Sequence, residues 1–286
     1  MILRDWSSDV CSSDLFYSEE EDMHPKYKAL LEFFKDYRRV GVSMSGGTCS
    51  NLVAIAAAEA LGPKNVNGIN LVSEFFAWSD NESCIRLCSK LGMRLHRPSV
   101  SMLNYQPIAR NDADRCFFCK RILVYFLNEV ARDNNLPILL DGSSTSSSHV
   151  YLEGERQMED YKLLSPLRSV GITAADAAVI LRDIGWREYI RPELSCLATR
   201  VAYGEPITLK KLRLIRSAEF QLEQMGFDFN RVRVKGTKAV VEVEPDRVEE
   251  LKKEREELNE ELQGMGFAEV EIAEEGYKKR GYCMGD

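Results

Sequence analysis

The 286-residue chain is 44% hydrophobic and 29% charged, with a formal net charge of −7. That composition is typical of a soluble globular protein, and with no run of about eighteen apolar residues it offers no membrane span. Residues 1–22 hold seven acids against one base, a net of −6, which leaves −1 for residues 23–286; so near-neutral a body gives extended nucleic-acid binding no electrostatic support.

Residues 1–15 show no period of 2 or 3.6, and Arg4 to Leu15 reads like a translated sequencing-library adapter. Residues 1–22 are therefore set aside as a non-native or disordered leader, and Met23 is the expected native start. Eight cysteines without a secretory signal point to the cytoplasm and reduced thiols. A clustered cysteine pair in that compartment suggests metal binding or catalysis.

A helix is expected from Pro25 to Tyr37, with Leu30, Leu31, Phe33 and Phe34 as its apolar stripe. Val40, Val42 and Met44 alternate with small residues as a short buried strand would, and Leu52–Leu61 is rich in helix formers. Ser45, Gly46, Gly47 and Ser50 lie between them. A strand, a glycine turn and a helix start make a phosphate site, because free amides at a helix N-terminus favour an anion. An ordinary tight turn is the alternative.

A second strand is expected over Val66–Val72, with Ser73 at the sheet end where ligands lie. Asn81–Leu91 reads as a helix closed by Gly92, with Cys84 and Cys88 on one face as small core residues. Met93–Val100 is a third strand, and His96 within it is read as structural. Cys116-Phe-Phe-Cys119 opens a helix running to Asn134; redox pair, half a zinc site, iron–sulfur ligands and plain packing all remain open. Pro137–Asp141 is a fourth strand, leading into Gly142 and a serine-rich loop to Ser148 that suits ligand contact or a surface loop equally.

Tyr161–Leu167 is a short edge element, and Thr173 an N-cap for a helix over Ala174–Ile184. Pro192–Arg200 reads as an ordered loop centred on Cys196, whose thiolate Arg200 would favour. A helix from Thr208 to Met225 ends at Gly226. Strands over Phe229–Val234 and Ala239–Val243 flank a turn at Lys235–Thr237. Arg231 and Arg233 point to one strand face, where either a phosphate or Glu242 and Glu244 would satisfy them. A charged helix over Asp246–Leu262 and a strand over Phe267–Ile272 close the chain.

Taken together, the Ser45–Ser50 loop, Arg115–Lys120, Leu163–Leu167, Ser195–Arg200 with Tyr203-Gly204, and Arg231–Arg233 resemble the LarE-type PP-loop sulfur transferases of nickel-pincer nucleotide biosynthesis. The resemblance covers about Met23 to Tyr282. It implies an α/β fold: a parallel-sheet PP-loop domain (23–185) followed by a smaller α+β substrate and sulfur-transfer domain (186–286). It implies ATP with Mg2+, a small nucleotide-like substrate and a homo-oligomer. In that family a carboxylate of a pyridinium mononucleotide is adenylated and then exchanges oxygen for sulfur.

By the same resemblance, Ser45, Gly46, Gly47, Ser50, Ser73 and Gly142 would bind nucleotide, and Arg231 and Arg233 the substrate phosphate. Cys196 would deliver sulfur with Glu219 as an acidic neighbour, and Cys116, Cys119 and Cys196 would hold a [4Fe–4S] cluster with one open iron. Two departures stand out. Cys49 replaces the loop aspartate, and Gly142–Ser147 replaces an acid-bearing loop, so carboxylates that handle Mg-ATP are gone. A cluster-dependent tRNA thiolation enzyme and a non-hydrolysing nucleotide-binding or sulfur-carrier protein are the alternatives.

Overall fold

The computed structural model describes residues 23–147, 163–191 and 195–277. The expected leader, Ser148, Tyr161 and residues 192–194 fall outside them. The chain begins with α1 (Pro25–Phe34), β1 (Val40–Ser43), α2 (Thr48–Leu61), β2 (Val66–Ile69), α3 (Trp78–Leu91) and β3 (Arg94–His96). It continues through α4 (Gln106–Ala109), α5 (Arg115–Asp133), β4 (Ile138–Leu140), β5 (Leu163–Leu164), α6 (Pro166–Ser169) and α7 (Ala174–Asp183). The remainder is α8 (Leu209–Gln224), β6 (Asn230–Lys235), β7 (Lys238–Val243), α9 (Val248–Lys253), α10 (Arg255–Met265) and β8 (Glu269–Ile272).

Strands β1 to β5 form one parallel sheet in the order β3-β2-β1-β4-β5. Helices cover it, as burial of a parallel sheet requires. The order reverses at β1, so the loops after β1 and β4 leave side by side, which is where open α/β sheets bind ligands. Strands β6, β7 and β8 make a small mixed sheet, antiparallel across β6–β7 and parallel across β7–β8.

Two apolar clusters hold these layers. One gathers Leu30 and Phe34 of α1, the buried side of α2, Leu87 of α3 and Ile180 of α7. The other joins Ile69 and Leu139 of the parallel sheet to Leu127 of α5, Ile215 of α8, and Val232 and Val241 of the small sheet. Behind β1, Cys88 Sγ lies 3.4 Å from Met44 Sδ, and a Cβ added at Gly68 would meet both sulfurs. Cys84 and Cys88 are thus core residues, and His96 bonds Asn67 Oδ1 at 3.0 Å as a structural histidine.

Several boundaries differ from expectation. β2 and β3 are each shorter than predicted, because Pro98 has no N–H for the ladder; scattered bonds such as Val72 N to Pro98 O (2.9 Å) continue the pairing. α3 begins at Trp78 rather than Asn81. The single charged helix expected over Asp246–Leu262 is two, broken at Glu254 (φ −96°, ψ 15°) so that both Leu251 and Leu258 reach the core. Thr173 does cap α7, in a reciprocal pair with Asp176.

Candidate functional site

The loop between β1 and α2 is fixed from beneath. Asn51 Nδ2 donates to the Gly46 carbonyl at 3.1 Å, and Asn70 Nδ2 to the Met44 carbonyl at 3.0 Å. Ser50 Oγ receives the Ser45 N–H at 3.3 Å and donates to the Gly47 carbonyl at 3.0 Å. With these carbonyls tied down, the first amides of α2 are left for a ligand. Gly46 has φ +81°, and a Cβ there would sit 2.3 Å from the Asp80 carbonyl oxygen, so glycine is required twice over. Gly142 is pressed as closely on Ser50: its added Cβ would be 2.7 Å from the Ser50 nitrogen.

A cavity of about 1040 Å3 opens over this loop. Ser45, Gly47 and Ser50 line it, as do Gly142 and the serines beyond. Its wall also carries Cys116, Cys119, Cys196, Arg200 and Glu219. Ser73 does not line it; its hydroxyl donates to Glu74 at 3.1 Å and accepts from Phe75 N at 3.3 Å.

The three cysteines share one region, for each of Cys119 and Cys196 feels the charge of Cys116. Burial pushes both Cys119 and Cys196 up from the ordinary thiol range. For Cys196, Arg115 is the main opposing influence and Arg200 a lesser one. The expected thiolate-favouring role of Arg200 is thus outweighed by burial. Its guanidinium instead grips the loop, donating to the Ser195 carbonyl at 2.5 Å and the Cys196 carbonyl at 3.3 Å while pairing with Glu219 at 2.8 Å. Glu219 also accepts the Val232 N–H at 3.1 Å, so it joins the Cys196 loop to β6.

Arg231 and Arg233 lie behind this wall rather than on it. Arg231 donates to Ser195 Oγ at 2.8 Å and stacks under Tyr277, 4.2 Å from the ring centre. Arg233 pairs with Glu242 at 2.8 Å and reaches the Thr199 carbonyl at 3.2 Å.

Sequence reasoning missed several charged residues on the cavity, among them Lys120, Asp141 and Asp80. Lys120 and Asp141 form a buried pair at 3.3 Å, and Asp141 further accepts from Ser143 Oγ (2.7 Å), Ser143 N (3.0 Å) and Ser165 Oγ (2.8 Å). These contacts hold its carboxyl below the usual range in spite of burial. Asp80 lines the cavity as well and faces Arg191 Nε at 3.5 Å. No local pattern marks either carboxylate, since their cationic partners, Lys120 and Arg191, are remote in sequence.

The loop suits a nucleotide phosphate by its amides and glycines. Iron is another matter. Among the described residues, no group of three or more His, Cys, Asp or Glu is placed to hold a metal ion. The three cysteines share a cavity without forming a ligand set. Nor is any described helix long and apolar enough to cross a membrane.

Comparison with known proteins agrees with this geometry. The NAD synthase family model matches residues 28–114, the stretch that carries the loop. Pyridinium-3,5-bisthiocarboxylic acid mononucleotide synthase of Lactiplantibacillus plantarum is 25% identical over 253 residues, 88% of this chain and 92% of its own length. An uncharacterized protein of Synechocystis sp. is 27% identical over 258 residues, 90% of this chain and 96% of its own. A glutamine-dependent NAD(+) synthetase of Thermotoga maritima is 36% identical over 80 residues, 26% of this chain and 13% of its own. The phosphate-type loop at the switch point of the parallel sheet lies within the stretch that the NAD synthase family model matches, and together with the near-full-length similarity to the Lactiplantibacillus synthase it points to an enzyme of the PP-loop type.

Proposed function

We propose that the protein is a sulfur transferase that acts on a small pyridinium mononucleotide, activating a carboxylate with ATP at the Ser45–Ser50 loop and supplying sulfur through Cys196. The observation that carries the reading is that the loop and Cys196 face one cavity, so an activated carboxylate and a sulfur atom could meet inside it. Residues 23–185 would hold the nucleotide and 186–286 the substrate and sulfur donor.

Adenylation of the substrate carboxylate would release pyrophosphate, with α2 amides offering donors to the phosphates. The Cys196 sulfur would then attack the acyl carbon, losing its proton to solvent as AMP departs. Cleavage of the Cys196 Cβ–Sγ bond, with loss of the Cα proton, would leave the sulfur on the substrate and dehydroalanine in the chain. At rest the half-buried thiol is held neutral; Arg115 and Arg200 are the cations that would stabilise its thiolate. Arg231 and Arg233 would serve the substrate phosphate through the Ser195 loop.

A second reading, a nucleotide-binding sulfur carrier without turnover, draws on Cys49 and the serine loop, where a thiol and hydroxyls stand in place of carboxylates. One experiment addresses both. The protein is mixed with Mg-ATP and the pyridinium dicarboxylate mononucleotide, then pyrophosphate, product mass and Cys196 mass are measured. Pyrophosphate release with sulfur gained by substrate and lost at Cys196 supports the transferase. Nucleotide binding without pyrophosphate favours the carrier. Undiminished sulfur transfer by Cys196→Ala would remove Cys196 from the mechanism.

A further inference from the structure

The loop carries Cys49 and no acid between Ser45 and Ser50, and a thiol is a poor partner for a hard divalent cation. Asp141 and Asp80 are two carboxylates on the same cavity, and their surroundings differ sharply. Asp141 is saturated: a lysine, two hydroxyls and a main-chain N–H already occupy its oxygens. A metal ion would have to displace them. Asp80 is not saturated. Among the described residues no hydrogen bond reaches its carboxylate, and its nearest cation, Arg191 Nε, stands 3.5 Å away without a hydrogen bond of its own.

The position of Asp80 is also set by the loop itself. Its main-chain oxygen fills the space that a side chain at residue 46 would need. Its carboxylate faces Arg191, whose main chain is clamped to the first residue of α2: Thr48 Oγ1 donates to the Arg191 carbonyl and accepts the Arg191 N–H, each at 2.9 Å. These contacts run Gly46, Asp80, Arg191, Thr48 and close a ring around the turn. Asp80 is therefore fixed to the loop through its main chain at Gly46 and through Arg191 at Thr48, and its half-buried side chain lines the same cavity as Cys49.

We infer that Asp80 supplies, from the first turn of α3, the carboxylate that the loop itself lacks, and that it receives the divalent cation accompanying a nucleotide triphosphate. The inference rests on the proposed nucleotide role of the loop. Mg2+ needs only one or two protein carboxylates when phosphates and water complete its shell. A single acid here is enough. Arg191 is then released toward the phosphates, where a guanidinium is well matched.

The test is equilibrium binding of ATP to the full chain, with Mg2+ and with EDTA, and electron paramagnetic resonance of Mn2+ bound in its place. Wild type is expected to bind ATP about tenfold tighter with Mg2+ than with EDTA. Asp80→Asn, an isosteric change, should lose that gain and its Mn2+ signal yet bind ATP in EDTA as wild type does. Asp80→Ser is the second variant with the same expected loss, and Cys49→Asp added to Asp80→Asn should return the gain by refilling the loop position. Asp80→Asn keeping the full gain would overturn the inference and leave the nucleotide site standing. Wild type that fails to bind ATP under either condition would overturn both the inference and the reading beneath it.

Discussion

Arg115 Nη1 donates to the Ala198 carbonyl at 3.1 Å, tying the first residue of α5 to the residue two beyond Cys196. The same guanidinium bonds Asn111 Oδ1, lies 3.9 Å from Cys116 Sγ and packs over Tyr203 at 4.9 Å. One buried side chain thus positions two of the four cavity cysteines.

Arg115→Met keeps volume and removes charge. The Cys196 thiol should then titrate higher still, because the strongest influence opposing burial is gone. Mass-spectrometric alkylation of the Cys196 peptide against pH should show a midpoint displaced upward. Stability should fall by about 1–3 kcal/mol for each acceptor left without its donor. An unmoved midpoint would show that Arg115 does not govern the thiol.

Gly46→Ala and Gly47→Ala make an internal comparison. At Gly46 an added Cβ collides with the Asp80 main chain and the backbone is left-handed, whereas at Gly47 the nearest contact is 3.5 Å from Ser45 Oγ. Strained backbone of this kind costs about 1–3 kcal/mol before the collision is counted. Chemical denaturation should find Gly46→Ala clearly destabilised and Gly47→Ala near wild type. Equal stability of the two would mean that α3 yields easily.

Arg233→Ala leaves the buried Glu242 carboxylate without its cation. Breaking a buried pair from one side costs about 3–5 kcal/mol. A marked fall in melting temperature is expected, and Arg233→Ala combined with Glu242→Gln should recover much of it. If the single variant melts as wild type, Arg233 is free to serve a ligand alone.

Alkaline pH offers a fourth check. Burial pushes Cys84 and Cys88 to about 12. A thiol raised in the folded state stabilises fully below its unfolded value, near 9, and that contribution is lost as pH climbs toward 12. Melting temperature should therefore decline from about pH 9 upward, and more shallowly in a Cys84→Ala, Cys88→Ala variant, though that variant starts lower. Parallel slopes would count against the buried thiols as the cause.

The β1–loop–α2 unit was legible because alternation, glycines and helix formers are all local signals in Val40–Leu61. Glu254 hides the break between α9 and α10, since its neighbours are equally good helix formers and only the need to bury both Leu251 and Leu258 bends the axis there. The cavity charges were illegible for a related reason. Asp80 meets Arg191 across more than a hundred residues, and Lys120 meets Asp141 across twenty-one. Arg200 shows the remaining limit: its nearness to Cys196 in sequence is real, but its donors are spent on main-chain oxygens and Glu219.

Among the described residues, two groups of sulfur atoms flank the loop. Met44, Cys84 and Cys88 are sealed beneath the loop, while Cys49, Cys116, Cys119 and Cys196 border the cavity. Of these two groups, a peroxide meets the second, since attack follows access. Damage by oxidants would begin where ligands bind and spare the floor on which the loop rests, so a filled cavity acts as its own antioxidant shield.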